Sequence, residues 1–459
     1  MAKKTGRSAR REQSTRGISR IIVGGFKSIA EETSVEIRPL TLLAGPNSSG
    51  KSSLMQPLLL LKQTLEAQYD PGSLLIDGAH VKFTLASQFL SKVMHGESSS
   101  RAMTVEVEIG EESTKLTFAK AESSPIEIMK MARKNVLVFG PKAARRATWE
   151  VSVSDTDEKL KETFEAMQGG EQDFIPQAKR IEYSLQRDRC FLNIEVSYYM
   201  NPNSSGPTLT MPVRFSSHIG EEITRIIHLP GLRGNPERTY PLVPAGNVFP
   251  GLFQKYAASV IHAWIKDGET ARVHELNEAL DLLELQSNIS TEEIEETQVG
   301  VSVSRRYGGA EGDRVSIADV GLAVSQVLPV LVALIAAEPG QLVYIEQPEI
   351  HLHPRAQWKL AHLLATAANR GVRLVIETHS SLLLRGILTE IAKDEISNDR
   401  VILHWFDRNR ETGISTVHSN VPDRAGRVGD WPEDFGDVEL GSDNEYLDAV
   451  ENKLVAGKQ

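Results

Sequence analysis

The nine residues GPNSSGKSS, positions 45–53, constrain this chain more than any other feature. They follow LTLLA, a short apolar run bounded by Pro39 and Gly45 that suits a strand buried on both faces. Behind them the run 54–68 reads as an apolar helix. Gly45, four intervening residues, Gly50, Lys51 and Ser52 give the spacing G-x-x-x-x-G-K-S. Glycines let successive backbone N–H groups turn inward, and the positive end of the following helix favours an anion there. A chance match with a buried strand before it and a helix after it is uncommon. Gly45, Pro46, Asn47, Ser48, Ser49, Gly50, Lys51, Ser52 and Ser53 are therefore read as a phosphate-binding loop. In such a loop the lysine bridges the β- and γ-phosphates of ATP, and the serine hydroxyl completes a Mg²⁺ shell.

The complementary half of such a site lies far downstream. Residues 341–345 form a compact apolar strand that ends in Glu346, Gln347, Pro348 and Glu349, followed by IHLHP. An acid at the C-terminal tip of a buried strand sits where open α/β sheets bind ligands, so Glu346 is expected in the magnesium shell. A further strand, 372–376, ends in Glu377, Thr378, His379 and Ser380, which brings His379 towards the terminal phosphate. His351 and His353 beside Glu349 lack a third ligand at diagnostic spacing and are read as turn residues instead of a metal site.

Length and charge limit the remaining options. A chain of 459 residues suggests two to three domains or one elaborated domain, and 40% hydrophobic with 24% charged residues is ordinary for a globular protein. The single cysteine, Cys190, has no disulfide partner, no apolar run reaches a membrane span, and the start MAKKTGRSARREQSTRG lacks a signal's apolar centre. A cytoplasmic location without membrane contact is expected. The net charge of −10 argues against a surface coated for nucleic acid. The basic arm carrying Lys3, Lys4, Arg7, Arg10, Arg11 and Arg16, and the group Lys130, Arg133, Lys134, Lys142, Arg145 and Arg146, read as solvated, with phosphate-backbone contact as the alternative.

GPNSSGKSS, IEQPEIHLHP and IETHS, in this order and at these separations, resemble the ABC-type ATPases related to SMC and Rad50 heads. More narrowly, the chain resembles AAA-labelled ATPases akin to the overcoming-lysogenization-defect (OLD) proteins, many of which serve in prokaryotic anti-phage systems. ISRIIVGGFKSI near the start, IHLPGLRGNPERTY at 227–240 and WPEDF at 431–435 resemble further motifs of that group, whereas residues 100–215 match none. The fold implied is an α/β P-loop NTPase: an ABC-type ATPase head with a β-rich lobe and a mixed β and helical insertion between its Walker A and Walker B segments. The expected division is a basic arm at 1–17, head at 18–125, insertion at 126–300, head again at 301–420 and an acidic tail at 421–459. Within the insertion, 103–119, 149–154, 181–184 and 190–198 alternate as antiparallel strands do. From 252 to 285 the pattern is helical, with Leu276, Leu280 and Leu283 on one face, and too short for a coiled-coil arm.

The resemblance also implies function. In this family two heads sandwich two ATP molecules, each offering a short motif to the other's nucleotide. Its counterpart here is SIADVGLAVSQVL at 316–328, where Gly321 or Ser325 contacts the γ-phosphate at the start of a helix through 327–337; an ordinary capped core helix is the even alternative. Gln347 stands where relatives carry the glutamate that activates water, and an amide is a very poor base. Hydrolysis is therefore expected to be slow, or Glu349 or Glu377 substitutes. Gln88 either links the γ-phosphate to the helical lobe or is a buried structural residue. Arg233 and Arg238 either read phosphate or make salt bridges. Too little sequence follows His379 for a Toprim nuclease domain, so an effector is expected on another polypeptide. Two classes follow: an ATP-driven sensor or scaffold in anti-phage defence, self-associating as a dimer or higher oligomer and controlling a separate nuclease or toxin with DNA or a phage protein as trigger, or a DNA-repair ATPase that binds DNA ends.

Overall fold

The computed structural model describes residues 17–92, 102–120, 125–139, 144–168, 175, 177–213, 217–244, 246–305, 313–429 and 445–447. The basic arm at 1–16, Lys142, WPEDF and most of the acidic tail lie outside these residues.

The element that organises the site is a six-stranded sheet in the order Ile227–Leu229, Leu342–Glu346, Arg373–Glu377, Leu40–Ala44, Val401–Arg408, Ser415–Asn420. All neighbouring pairs are parallel except the last, which is antiparallel. Its inner strands are largely apolar because alternate residues enter two different cores. Leu40, Leu42, Val343, Ile345, Leu374 and Ile376 face a helical core, where the helices Ala257–Lys266, Thr270–Leu282, Leu322–Ala336, Pro354–Asn369 and Ser381–Ala392 pack. Leu43, Leu342, Tyr344 and Val375 face the second core, shared with the helix Lys51–Glu66 and an antiparallel sheet. That sheet runs in the order Thr33–Glu36, Ile18–Gly24, Ala102–Ile109, Glu112–Lys120, Ile126–Phe139, Ala144–Ser152. Two smaller sheets, one of Arg180–Asp188, Phe191–Tyr199 and Leu209–Val213 and one around Gln298–Ser304, complete the insertion.

The fold is thus α/β, with the phosphate-loop strand inside a mostly parallel sheet and β-rich and helical lobes on opposite faces of that sheet. Boundaries moved in three places. The division expected at 125/126 falls between two neighbouring strands of a single sheet, so the β-rich lobe continues through Ser152. The helix expected over 54–68 begins at Lys51, because Gly50, at φ 107°, turns the chain directly into it. The helix expected from 327 begins at Leu322, immediately after Gly321. The 252–285 stretch is broken at Gly268, φ 72°, into two helices, with Leu276, Leu280 and Leu283 buried together as the periodicity requires. No helix among the described residues is long and apolar enough to cross a membrane.

The helices Pro354–Asn369 and Ser381–Ala392 touch at Gly386, where a Cβ would lie 2.8 Å from both the Ala361 Cβ and the Trp358 carbonyl oxygen. Alanine gains about 0.5–1 kcal/mol of helix propensity over glycine, but overpacking against a backbone atom costs about 1–3 kcal/mol. Gly386→Ala should therefore lower the midpoint of thermal unfolding, and an unchanged or raised midpoint would contradict this packing.

Candidate functional site

The loop leaves the sheet at the C-terminal end of Leu40–Ala44, whose register pairs Leu43 with Glu377 on one side and Ala44 with Trp405 on the other. Gly45 adopts φ 138°, and a Cβ on it would lie 2.2 Å from the Phe406 carbonyl oxygen, so only glycine lets the chain turn this close to the neighbouring strand. Ser48 at φ 61° and Gly50 at φ 107° continue the curl. Helix Lys51–Glu66 starts with neither a side-chain cap nor an acid in its first turn, which leaves its N–H groups open to an anion. Lys51 is buried and folds back on its own loop, donating to the carbonyls of Gly45 at 3.0 Å and Pro46 at 2.7 Å. Burial lowers its pKa, with Glu377 opposing. Ser49 Oγ is buried without a protein partner.

The opposite wall comes from the tips of two strands far along the chain. Glu377 accepts from Ser52 Oγ at 2.9 Å through Oε1 and from the Tyr344 hydroxyl at 2.9 Å through Oε2. Burial, then the charge of Glu346, holds its carboxyl above the ordinary range, against the hydrogen bonds from Ser52 and Tyr344. His379 is exposed at the cleft; partial desolvation and then Lys51 hold its imidazole below the usual value, opposed by a bond to the Gly45 carbonyl. Gln347 sits at φ 45°, a strained value for a non-glycine residue, and its N–H donates to the Glu377 carbonyl at 2.7 Å. Together these groups enclose a cleft of ≈ 660 Å³ lined by Asn47, Ser48, Ser49, Gly50, Lys51, Ser52 and Ser53 with Gln347, Glu377 and His379.

Not every expected residue reaches this cleft. Glu346 does not line the cleft: beside Glu377 on the same face of the sheet, its carboxylate leans towards the neighbouring strand, where His228 Nε2 lies 3.3 Å from Oε1 and the Gly231 N–H donates to Oε2 at 3.1 Å. Although burial opposes ionisation, those bonds hold its pKa below the usual value. Glu349 is buried behind the tip of the strand Arg373–Glu377, accepting from Thr378 Oγ1 at 2.6 Å and the His379 N–H at 3.1 Å. Gly321 and Ser325 lie apart from the cleft of their own chain: Gly321 caps the helix Leu322–Ala336 without a side-chain bond, and Ser325 Oγ donates to the Leu322 carbonyl at 3.0 Å. His353 caps the helix Pro354–Asn369, and no group of three metal-ligating side chains exists among the described residues. Arg233 binds backbone carbonyls, and Arg238 makes a salt bridge to Asp319.

Sequence reasoning took Gln88 as either a phosphate link or a buried structural residue. It is exposed on the cleft rim, its Oε1 accepting from the N–H groups of Thr84 and Leu85. Lys27, Lys92 and Arg408 also line the cleft and were missed. Lys27 was visible within GFKS, and its φ of 49° marks a forced turn; its Nζ donates to Gln56 Oε1 at 2.6 Å. Arg408 carried no local signal, arriving at the end of the strand that flanks Leu40–Ala44. A buried line continuing from Glu346 was missed as well: His228 Nδ1 to His80 Nδ1 at 3.0 Å, and His80 Nε2 to Glu66 Oε2 at 3.2 Å.

Comparison with known proteins agrees with this class of site. Residues 17–197 match the family described as an AAA ATPase domain, and residues 218–385 match the one described as "AAA domain, putative AbiEii toxin, Type IV TA system". The DNA replication and repair protein RecF of Shewanella frigidimarina (strain NCIMB 400) is 29% identical over 135 residues, 28% of this chain. The match spans 37% of that curated relative's length. Among solved structures, an SmcHead bound to the C-winged helix domain of ScpA aligns at TM-score 0.44 and 12% identity, over 89% of this chain and 99% of that one. The SMC head domain from Thermotoga maritima gives 0.37 at 11%, over 88% and 98%. An Smc head with an extended coiled coil, bound to the C-terminal domain of ScpA derived from Pyrococcus furiosus, gives 0.42 at 10%, over 95% and 99%.

Glu349 supplies a test of the buried chemistry. Burial holds its carboxyl above the ordinary value, against bonds from Thr378 and backbone N–H groups, so the folded state resists an ionisation that the unfolded chain undergoes near pH ~4.3. The resulting loss of stability is absent below that pH and grows as pH rises towards the folded value. Glu349→Gln should raise the thermal midpoint at pH 8 and leave it unchanged near pH 4; equal shifts at both would place the effect in packing instead of charge.

Proposed function

We propose that this protein is an ATP- and Mg²⁺-dependent ATPase that works as a slow, nucleotide-held switch in a prokaryotic anti-phage system. In this reading two or more copies pair head to head and control a separately encoded nuclease or toxin, in the cytoplasm and away from membranes. The observation that carries the nucleotide part is the cleft wall: an uncapped helix N-terminus, the lysine Lys51 folded back on loop carbonyls, and the unpartnered Ser49 hydroxyl facing Gln347, Glu377 and His379. A triphosphate suits this donor set. The N–H groups of residues 47–52 and Lys51 would hold the β- and γ-phosphates, and His379 would donate to the terminal one. Ser52 and Glu377, already in contact, would take the metal shell, with Glu346 joining once it leaves His228 and Gly231. Magnesium would neutralise charge developing on the phosphates. Gln347 would orient the attacking water. Of the two substitute carboxylates, Glu377 lines the cleft, whereas Glu349 is occupied by Thr378.

The defence assignment draws on the resemblance of the motifs to OLD-type ATPases and on the toxin-system family matched at residues 218–385. The match to a RecF protein favours a second reading, a DNA-repair ATPase that binds DNA directly. Salt-dependent duplex binding that stimulates turnover without any partner would select it.

Lys51→Ala should weaken ATP binding by at least about 100-fold, since it removes charge-assisted bonds to two phosphates worth about 1.5–3 kcal/mol each. Phosphate release by the wild type should fall below the about 1–10³ s⁻¹ of ordinary enzymes and drop further in Glu377→Gln. Rapid release unaffected by Glu377→Gln and Glu349→Gln would overturn the switch. A wild type that purifies from its host alone and monomeric, in saturating ATP and magnesium, would overturn the scaffold.

A further inference from the structure

One short segment, residues 228–238, holds both the acid-strand tip and the start of the helix Leu322–Ala336. The strand Ile227–Leu229 runs parallel to Leu342–Glu346, with Leu229 opposite Ile345, so the chain that follows it passes over the tip. From there His228 and the Gly231 N–H take the two carboxylate oxygens of Glu346. Arg233, buried, donates through Nη2 to the carbonyls of Glu346 at 2.7 Å and Gln347 at 3.2 Å. Its Nη1 reaches the Gln326 carbonyl on the helix at 3.4 Å, and Gln326 Nε2 returns to the Gly234 carbonyl at 2.6 Å. Arg238 then forks onto Asp319 at 2.9 and 2.8 Å, two residues before Gly321.

A guanidinium is planar and rigid, so its two ends cannot move independently. Burial lowers the Arg233 pKa to about 10, with Glu349 and Glu346 opposing. Exposing such a buried cation's carbonyl partners one at a time is costly, because each loss leaves charge without compensation. The Gln347 turn that Arg233 grips is also strained at φ 45°, and strained turns persist only while their surroundings over-determine them.

We infer that residues 228–238 form a coupling clamp, with Arg233 as a positioning residue that ties the orientation of Glu346 and Gln347 to the start of the helix Leu322–Ala336. A nucleotide held by a second copy of this chain and pressed on Gly321 is thereby felt at the acid-strand tip of the first. This rests on the proposal that the cleft binds ATP and that two copies pair. It adds the route between the two halves of the composite site.

The Arg238–Asp319 pair is the accessible end of the clamp, with side chains 72% and 41% exposed, and surface pairs contribute only about 0–1 kcal/mol to stability. Arg238→Asp, Asp319→Arg and the double reversal can therefore be compared in the full-length protein with little risk to folding. Each single reversal should leave ATP affinity within about 2-fold of wild type, lower kcat about 10-fold and bring the Hill coefficient for ATP towards one. The double reversal should return both parameters to within about 3-fold. Arg233→Lys, which keeps charge and loses the fork, should reproduce the single reversals in kcat with ATP affinity preserved. Single reversals with wild-type kcat and Hill coefficient, or a double reversal no better than the singles, would overturn the clamp while ATP binding stands. Failure of the wild type to bind ATP through Lys51 would remove the proposed function and the clamp together.

Discussion

The parallel pairing of Leu40–Ala44 with Arg373–Glu377 and Val401–Arg408 is the constraint on which the rest depends. The strand is buried along its whole length, and its side chains divide between two cores, so its register cannot slip without exposing one of them. With the register fixed, Gly45 leaves the sheet against the Phe406 carbonyl, the loop curls through Ser48 and Gly50, and Lys51 begins its helix. The same pairing puts Glu377 within hydrogen-bonding distance of Ser52.

Charge in the cleft is balanced internally while the strands hold it in place. Lys51, Glu377 and His379 are each desolvated, and each pKa moves in the direction that disfavours the charged form. On the proposed reading, a polyanion with a divalent cation would restore both ionised partners at once, with phosphate oxygens replacing the loop carbonyls for Lys51 and the metal compensating Glu377. The mid-chain segment 228–238 then connects this wall to a helix whose start lies apart from the cleft of the same chain.

Much of this was legible in the residues. The glycine spacing, the apolar strands and the polar tips at Glu346 and Glu377 each carry their meaning locally, since backbone freedom at glycine and burial of an unbroken apolar run act over a few residues. Leu276, Leu280 and Leu283 share a core as their spacing requires. Which carboxylate touches Ser52 was not legible. Glu346 and Glu377 both end buried strands, and only the sheet order, with Arg373–Glu377 between Leu342–Glu346 and Leu40–Ala44, gives the contact to Glu377. Arg233 was equally open between phosphate and protein partners until the pairing of Ile227–Leu229 with Leu342–Glu346 brought it over backbone carbonyls.

The sequence alone therefore determined that a phosphate-binding loop lies between a buried strand and a helix, with an α/β sheet around it and polar tips to complete the site. Those properties come from conformational freedom and hydrophobic pattern within short windows. The tertiary structure decided which distant side chains share the cleft: Arg408 and Lys27 join it, Glu349 goes behind it, and Glu346 is held away from it by His228 and Gly231. The reason is that strand order and register are set by the summed packing of two cores on opposite faces of one sheet, a quantity that no single segment of the chain contains.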